Sequence, residues 1–592
     1  MAARVARVVL DSPLPQLDRI FDYAIPDGLT ATVTPGVRVR VPVRAARRVM
    51  DGWVLEVASD SAFDGVLAEL DAVVSPVPVL TPEVWTLARR VADRAVGVAA
   101  DVLRLGIPKR QARVEQAWLQ SVPAVIASRG AAAGGVSRPP MTGTRLVVQA
   151  IPEPDGWLTM LAGYATPVVD AGRTAIIAVP DRVDLDRLEI VLAAAIGADR
   201  VIRLDAEQPP AARYRAFLAA ASRSGVALIG TRSVVYAPAA DLGLIALWDD
   251  GDPAFQEPLA PGVHARDAAL IRQELCDCRL VLLAHSPSVE AERLVEIGWC
   301  ERVPLASRRV PKVIPTAFQT GADRLAEHAR IPSSAWRAAA EAITAGPVLV
   351  QVSRPGDDGP AGGERTAAEL GKAFPQAKVI VSDGRNRVVS VASEPALVIS
   401  TRGAEPAAAG GYRAVLLLDG ERMLARESMR VTEDALRTWS NAIALAAPGA
   451  PSYLVGVSGP VARALAGWRQ AEFLHEELSQ RLALRLPPAV RTATLIGSPV
   501  AVDAAIAAAG IVGDDVIGPV AEEDGVIRTV VRFDYRRGGD VAAAFRTELL
   551  RHATGRRAPG KGRPPRPIGL RVRMDDPEPF IGERAGFGRI DR

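Results

Sequence analysis

The chain has 592 residues, 49% of them hydrophobic, with a formal net charge of +3 and three cysteines. One core does not grow to that size, so several units of about 100 to 200 residues are expected, and the near balance of charge leaves any anionic partner to local patches rather than a molecule-wide field. Cys276, Cys278 and Cys300 are too few and too clustered to staple a secreted fold, which excludes a disulfide framework and points to a reduced, cytoplasmic protein.

Residues 1–10 are basic and apolar but meet Asp11 and Pro13 before a signal-peptide core can form. No later segment is long and uncharged enough to cross a bilayer, so a soluble protein without a membrane partner is expected. Residues 4–10, 21–25, 36–43 and 52–57 read as short strands separated by Pro, Gly and Asp. Helices are expected at 82–95, with Thr81 as cap and Pro82 at the first position, and near 98–105. Together 1–110 form a β-rich module. Residues 111–144 turn rich in Ala, Gly, Ser and Pro and read as a flexible linker.

Beyond it, apolar runs at 146–150, 174–179, 201–204, 227–230, 244–248 and 280–284 alternate with helical patterns. Buried strands with intervening helices describe a parallel α/β lobe over 145–335. A second series at 347–352, 377–381, 396–400, 414–418 and 452–457 gives a second lobe over 336–484. The fold class is α/β multidomain: the β-rich module, two parallel α/β lobes in tandem and a small α+β carboxy-terminal domain over 485–592.

The first turn of the first lobe lies where a nucleotide-hydrolysing domain holds phosphate, yet it reads Ile151-Pro152-Glu153-Pro154-Asp155-Gly156. A phosphate cradle needs the pattern G-x-x-x-x-G-K followed by Ser or Thr, whose glycines let successive N–H groups converge on the anion and whose lysine reaches the terminal phosphates. Prolines remove donors and carboxylates repel phosphate, so the shell of a motor without its chemistry is expected. In the last domain Arg551, Arg556, Arg557, Lys561, Arg563, Arg566, Arg571 and Arg573 follow one another with no acidic residue between them. That run fits either a solvated loop or a contact tracking a nucleic-acid backbone.

Ser12-Pro13-Leu14-Pro15, Phe21-Asp22-Tyr23, Pro26, Gly28 and the run from Gly36 to Pro42 resemble the 3′-DNA-binding domain of the bacterial primosomal protein N′ (PriA) family, which restarts stalled replication forks. The resemblance implies a pocket for the 3′ end of a nascent strand, lined by Phe21 and Asp22. Chemically, Phe21 suits stacking on a terminal base, and Asp22 accepts a hydrogen bond from a 3′ hydroxyl while repelling a 3′ phosphate. The family's glycine after Val-Pro is replaced in the Val43-Arg44 region, and its lysine is Asp71, so Arg38, Arg40, Arg44, Arg47 and Arg48 are expected to supply charge beside Tyr23. The bland alternative is a set of hairpin residues that stabilise a small barrel.

Gly230-Thr231-Arg232-Ser233, Pro238 and the run from Leu242 to Ile245 resemble the approach to the family's D-E-E-H box, whose carboxylates hold magnesium and activate water. Here that box reads Asp249-Asp250-Gly251-Asp252, and the family's G-S-A-T reads Ala284-His285-Ser286-Pro287. His264-Ala-Arg-Asp267 follows the family, with Phe255 alone where coupling aromatics are expected. In the second lobe Ser400-Thr401-Arg402 and Leu418-Asp419-Gly420 follow the family, but its arginine-finger segment is the arginine-free run 442–448. No Cys-x-x-Cys pair occurs, so the family's zinc is not expected; Cys276 and Cys278 fall at a helix-to-strand junction and read as buried thiols. The family's winged helix is replaced by the linker.

Leu486-Pro-Pro488, Gly518-Pro-Val520 and Asp576-Pro577 resemble the family's carboxy-terminal domain, which implies contacts with branched and single-stranded DNA and with single-strand-binding protein. Arg556, Arg557, Lys561 and Arg563 are the expected DNA contacts there. The expected function is replication restart without helicase activity: no catalytic residue, no ATP, magnesium or zinc, and a replicative helicase or its loader as further partner. The alternatives are an ATP-dependent 3′-5′ helicase using Asp249, Asp250 and Arg402, and a scaffold recruited by single-strand-binding protein.

Overall fold

The computed structural model describes residues 4–43, 48–61, 63, 65–121, 144–303, 310–318, 330–353, 377–554 and 569–581. The amino-terminal unit is a five-stranded antiparallel sheet in the order Ile20–Ala24, Val5–Leu10, Arg48–Ala58, Arg38–Val43 and Ala72–Ser75. Period-two alternation turns Ala6, Val8, Tyr23, Val39 and Val41 into one core. The helix Pro82–Arg94 starts as the sequence indicates, with the Val84 N–H donating to Thr81 Oγ1 at 3.2 Å and Pro82 in its first turn. The helix Ala99–Gly106 follows it.

The expected linker starts too early. Ala112–Ser121 is a helix, and its Glu115 is buried, accepting from Arg110 Nε at 3.0 Å and from the Tyr214 hydroxyl at 2.7 Å. This ties the first module to the first lobe, a tertiary contact that composition does not encode. Residues 122–143 lie outside the described residues.

The first lobe is a seven-stranded parallel sheet in the order Glu301–Val303, Arg145–Gln149, Arg279–Ala284, Leu242–Trp248, Thr174–Ala178, Ala227–Gly230 and Val201–Leu204. Leu242–Trp248 is buried throughout, as a strand covered on both faces must be. The second sheet is also parallel, in the order Lys312–Pro315, Pro451–Leu454, Ala414–Leu417, Val348–Val352, Ala396–Thr401 and Lys378–Ser382. Because Lys312–Pro315 pairs with Pro451–Leu454, the second sheet already includes residue 312, ahead of the expected start at 336. Four residues flanked by Lys and Pro give no strand signal, and Pro is tolerated there because the strand is an edge.

The carboxy-terminal unit is a four-stranded antiparallel sheet, Val516–Ala521, Ile527–Phe533, Arg491–Gly497 and Arg571–Met574, with helices Pro499–Ala508 and Gly538–Thr554. It docks onto the amino-terminal unit: Arg546 pairs with Asp18 and donates to Gly97 O at 2.8 Å, and Val96 enters its core. It also meets the first lobe, where the Arg293 guanidinium lies 3.5 Å over the Tyr535 ring. Among the described residues no helix is long and apolar enough to cross a membrane.

Candidate nucleic-acid end site and interlobe cleft

The edge strand Ile20–Ala24 carries the expected end-site residues. Phe21 and Tyr23 share its core face. Tyr23 is buried, donates its hydroxyl to Pro42 O at 3.3 Å, and is held above its usual pKa by burial. Tyr23, expected among the DNA contacts, thus packs in the sheet core. Arg38 Nη2 donates to Pro108 O at 2.7 Å in the seam with the first lobe, where burial lowers its pKa against the nearby Tyr214, Asp11 and Glu115. Phe21 is half-buried beneath the Arg19 guanidinium, 4.7 Å from its ring centre. Asp22 is on the opposite face and accepts the Ser61 hydroxyl at 2.6 Å. Arg40 is exposed and lies 3.4 Å from Asp51. Arg44, Arg47, Arg556, Arg557, Lys561 and Arg563 lie outside the described residues. Arg571 and Arg573 stand on the strand Arg571–Met574, with Arg573 Nε 3.7 Å from Asp576.

In the turn after Arg145–Gln149 two backbone donors are bonded within the turn: Glu153 N–H donates to Ile151 O at 2.9 Å and Gly156 N–H to Glu153 O at 3.0 Å. Asp155, at φ +62°, pairs with Arg187. Pro154 rests on the second lobe at Gly411, where a Cβ would lie 3.0 Å from Pro154 Cγ. Trp157, the residue at the place of the phosphate-loop lysine, is buried and stacks on Trp248 at 4.5 Å between centroids. Trp248 meets His285 edge-on at 5.1 Å, and His285 meets Trp468 of the second lobe at 6.4 Å. Burial lowers the His285 pKa to about 4, so this aromatic ladder is neutral.

Trp248 leads into the acidic box. Asp249 adopts φ +56° and is 2% exposed. Arg437, from the second-lobe helix Val431–Ile443, donates from one Nη1 to Asp249 Oδ2 at 2.6 Å and to Asp252 Oδ2 at 2.8 Å. Asn441, one helical turn on, donates to the same Asp249 oxygen at 2.7 Å. Gly251 makes room for this bridge, since a Cβ there would sit 3.3 Å from Arg437 Cδ. Burial pushes the Asp249 carboxyl up to about 6, against the pull of Arg437. For Arg437 burial acts downward, but Asp249 and Asp252 outweigh it and hold the guanidinium above its usual value. Asp250 is fully buried, accepts the Ser288 hydroxyl, lies 3.5 Å from Arg266 Nη1, and is raised by burial.

Further bonds cross between the lobes. Val289 N–H donates to Glu433 Oε1 at 3.0 Å, Gln149 Nε2 to Gln470 Oε1 at 2.9 Å, and Arg387 pairs with Asp181 at 2.8 Å. A cleft of about 2260 Å³ is bordered by Trp157, Asp249, Arg402 and Arg437 of the lobes and by Arg528 and Asp576 of the last domain. Sequence reading missed Arg437; the available signal was its spacing with Asn441, which places two donors on one helix face. Cys276 ends the helix Ala265–Cys276, Cys278 and Cys300 are buried, and burial pushes both buried thiols up to about 12. Among the described residues no cluster of His, Cys, Asp and Glu is arranged to hold a metal ion.

Residues 7–108 match the family model described as the PriA 3′DNA-binding domain, and residues 482–578 match the primosomal protein N C-terminal domain. Proteins of Mycobacterium tuberculosis and Mycobacterium bovis, each named "Probable replication restart protein PriA", are 37% identical over 627 residues, covering 90% of this chain and 95% of the relative. The Mycobacterium leprae protein of the same name is 34% identical over 90% of this chain and 96% of its own. Among solved structures, RecG bound to a three-way DNA junction aligns with a TM-score of 0.35 and 14% identity over 68% of this chain and 56% of that one. Yeast Dbp5 bound to RNA and ADP BeF3 aligns with a TM-score of 0.35 and 12% identity over 56% and 84%. With more than a third of positions identical along nearly the full length of the mycobacterial proteins, the chain belongs to the replication restart protein PriA family.

Proposed function

We propose that the protein serves replication restart as a fork-recognition and assembly factor whose two lobes form a fixed frame rather than an ATP-driven motor. The observation that carries this reading is the Arg437 guanidinium bridging Asp249 and Asp252, with Asn441 completing the shell. The residues present do not fit a magnesium-bound triphosphate. The carboxylate nearest to a metal-ligand role is already neutralised by a cation from the facing lobe. In the turn beneath it the Glu153 and Gly156 N–H groups bond to carbonyls of the turn, and Trp157 fills the lysine position. A motor must also open and close its lobes, and these are joined by buried pairs that are costly to break singly.

DNA recognition then falls to the two ends of the chain. The amino-terminal module takes the 3′ hydroxyl end of a nascent strand at Asp22. The carboxy-terminal domain holds branched or single-stranded DNA, with the basic run around Arg556, Arg557, Lys561 and Arg563 countering the phosphate backbone. Single-strand-binding protein and a replicative helicase or its loader are the protein partners of this reading, in the cytoplasm. The test uses the full chain with forked DNA. Tighter binding of forks ending in a 3′ hydroxyl than in a 3′ phosphate, without DNA-stimulated ATP hydrolysis, is expected. Hydrolysis that disappears in Asp249→Ala overturns the proposal.

A further inference from the structure

Phe21 and Asp22 are neighbours in sequence, but strand alternation sends them to opposite faces: Phe21 registers with buried Val8, whereas Asp22 registers with Arg7, which registers in turn with Glu56. A ligand group bonded to Asp22 therefore does not meet the Phe21 ring from the same side, and one face of that ring is already covered by Arg19. The Asp22 face has a different companion. Residues 68–70 lie along the edge strand, with Ala24 N–H donating to Ala68 O at 2.9 Å and Leu70 N–H to Ala24 O at 3.0 Å. Nearby in sequence, the Ser61 hydroxyl donates to Asp22 Oδ2 at 2.6 Å, and the Phe63 N–H donates back to Ser61 Oγ at 3.0 Å. Phe63 is 61% exposed, and its N–H is one hydrogen-bonded hydroxyl removed from the Asp22 carboxylate.

We propose that Ser61 and Phe63 determine the specificity of the end site: the Ser61 hydroxyl stands in for the terminal hydroxyl of a nucleic-acid strand at Asp22, and Phe63 supplies the ring on which the last base stacks. The inference deepens the end-recognition reading above and rests on it. An aliphatic hydroxyl donating to Asp22 is the chemistry of a sugar hydroxyl, so an arriving strand end exchanges one hydroxyl for another with no carboxylate left bare. A phosphorylated end brings an acceptor and negative charge instead, against Asp22 and against Glu56, which already engages Arg7 at 2.7 Å. A ring stack tolerates any base, which suits an end that arises at arbitrary sequence.

The experiment measures equilibrium binding of the full chain to forks whose nascent strand ends in a 3′ hydroxyl, a 3′ phosphate or a 3′ deoxy sugar. Ser61→Ala removes the internal competitor and is expected to tighten the hydroxyl-ended fork by about 2- to 10-fold, leaving the phosphate-ended fork unchanged, since a net hydrogen bond has that worth. Phe63→Ala is expected to weaken the hydroxyl-ended fork by about tenfold or more, the worth of one base stack. Unchanged or weaker hydroxyl-end binding in Ser61→Ala, or unchanged binding in Phe63→Ala, overturns the inference. Asp22→Ala separates the two levels. If it equalises the three ends while the Ser61 and Phe63 variants behave as wild type, only the assignment of Ser61 and Phe63 fails. If Asp22→Ala leaves the preference intact, end recognition at this strand itself fails.

Discussion

Replacing Arg437 by Ala removes the cation that neutralises Asp249 and Asp252 and leaves a carboxylate only 2% exposed with Asn441 as its remaining donor. Removing one partner of a buried pair costs about 3 to 5 kcal/mol when the other stays charged. The effect depends on pH. Burial already lifts Asp249 to about 6 with Arg437 in place, above the unfolded value near 4, so the folded state binds this proton more tightly and stability falls as pH rises through that interval. Without Arg437 the carboxyl titrates higher still, and stability continues to fall above pH 6. At pH 5 Asp249 is mostly protonated in both proteins and the penalty shrinks to that of lost packing and the Asp252 pair. At pH 8 the full penalty is expected. Urea unfolding followed by tryptophan fluorescence reads this directly, because Trp157 and Trp248 stack beside the box and Trp439 shares the helix of Arg437. Equal unfolding midpoints for variant and wild type at pH 8, or a difference that does not change between pH 5 and pH 8, would refute the reasoning.

The carboxylate of Asp18 joins the two end domains: buried, it accepts from Arg89 at 2.8 Å, from Ala99 N–H at 3.0 Å and from Arg546. Burial would raise its pKa, but Arg546 and Arg89 outweigh burial and lower it, so its stabilisation is present above the unfolded carboxylate value and is lost as pH falls through the folded one. Asp18→Ala should loosen the helix Gly538–Thr554, read as faster amide exchange there at neutral pH; unchanged exchange refutes the docking role. Trp157→Ala should cost about 3 to 5 kcal/mol, the range for emptying a large aromatic site, and should remove the near-ultraviolet signal of the Trp157–Trp248 stack. Cys278 and Cys300, pushed up to about 12 by burial, should resist alkylation at pH 8 in the native protein and react once it is unfolded in urea.

The parallel lobes were legible where their strands are apolar on both faces: 227–230, buried throughout, coincides with the observed strand residue for residue. Glu301–Val303 and Lys312–Pro315 were not, because short edge strands lack a two-sided apolar run and are fixed by their partners. The helix Ala112–Ser121 was hidden by the composition of its neighbours, and only the Glu115 contact with Tyr214 explains its place. At the candidate sites, the unusual turn and box were visible as residue types, but the cation that meets them lies 188 positions away. The core-face placement of Phe21 and Tyr23 was legible in the strand's period-two alternation rather than in the Phe-Asp-Tyr wording.

The central claim, that the lobes are a frame already closed by Arg437 and Trp157, is tested most directly by equilibrium titration of the full chain with a labelled ATP analogue and magnesium, with and without forked DNA. No saturable binding up to millimolar analogue is expected in either case. Micromolar saturable binding that vanishes in Asp249→Ala would contradict it.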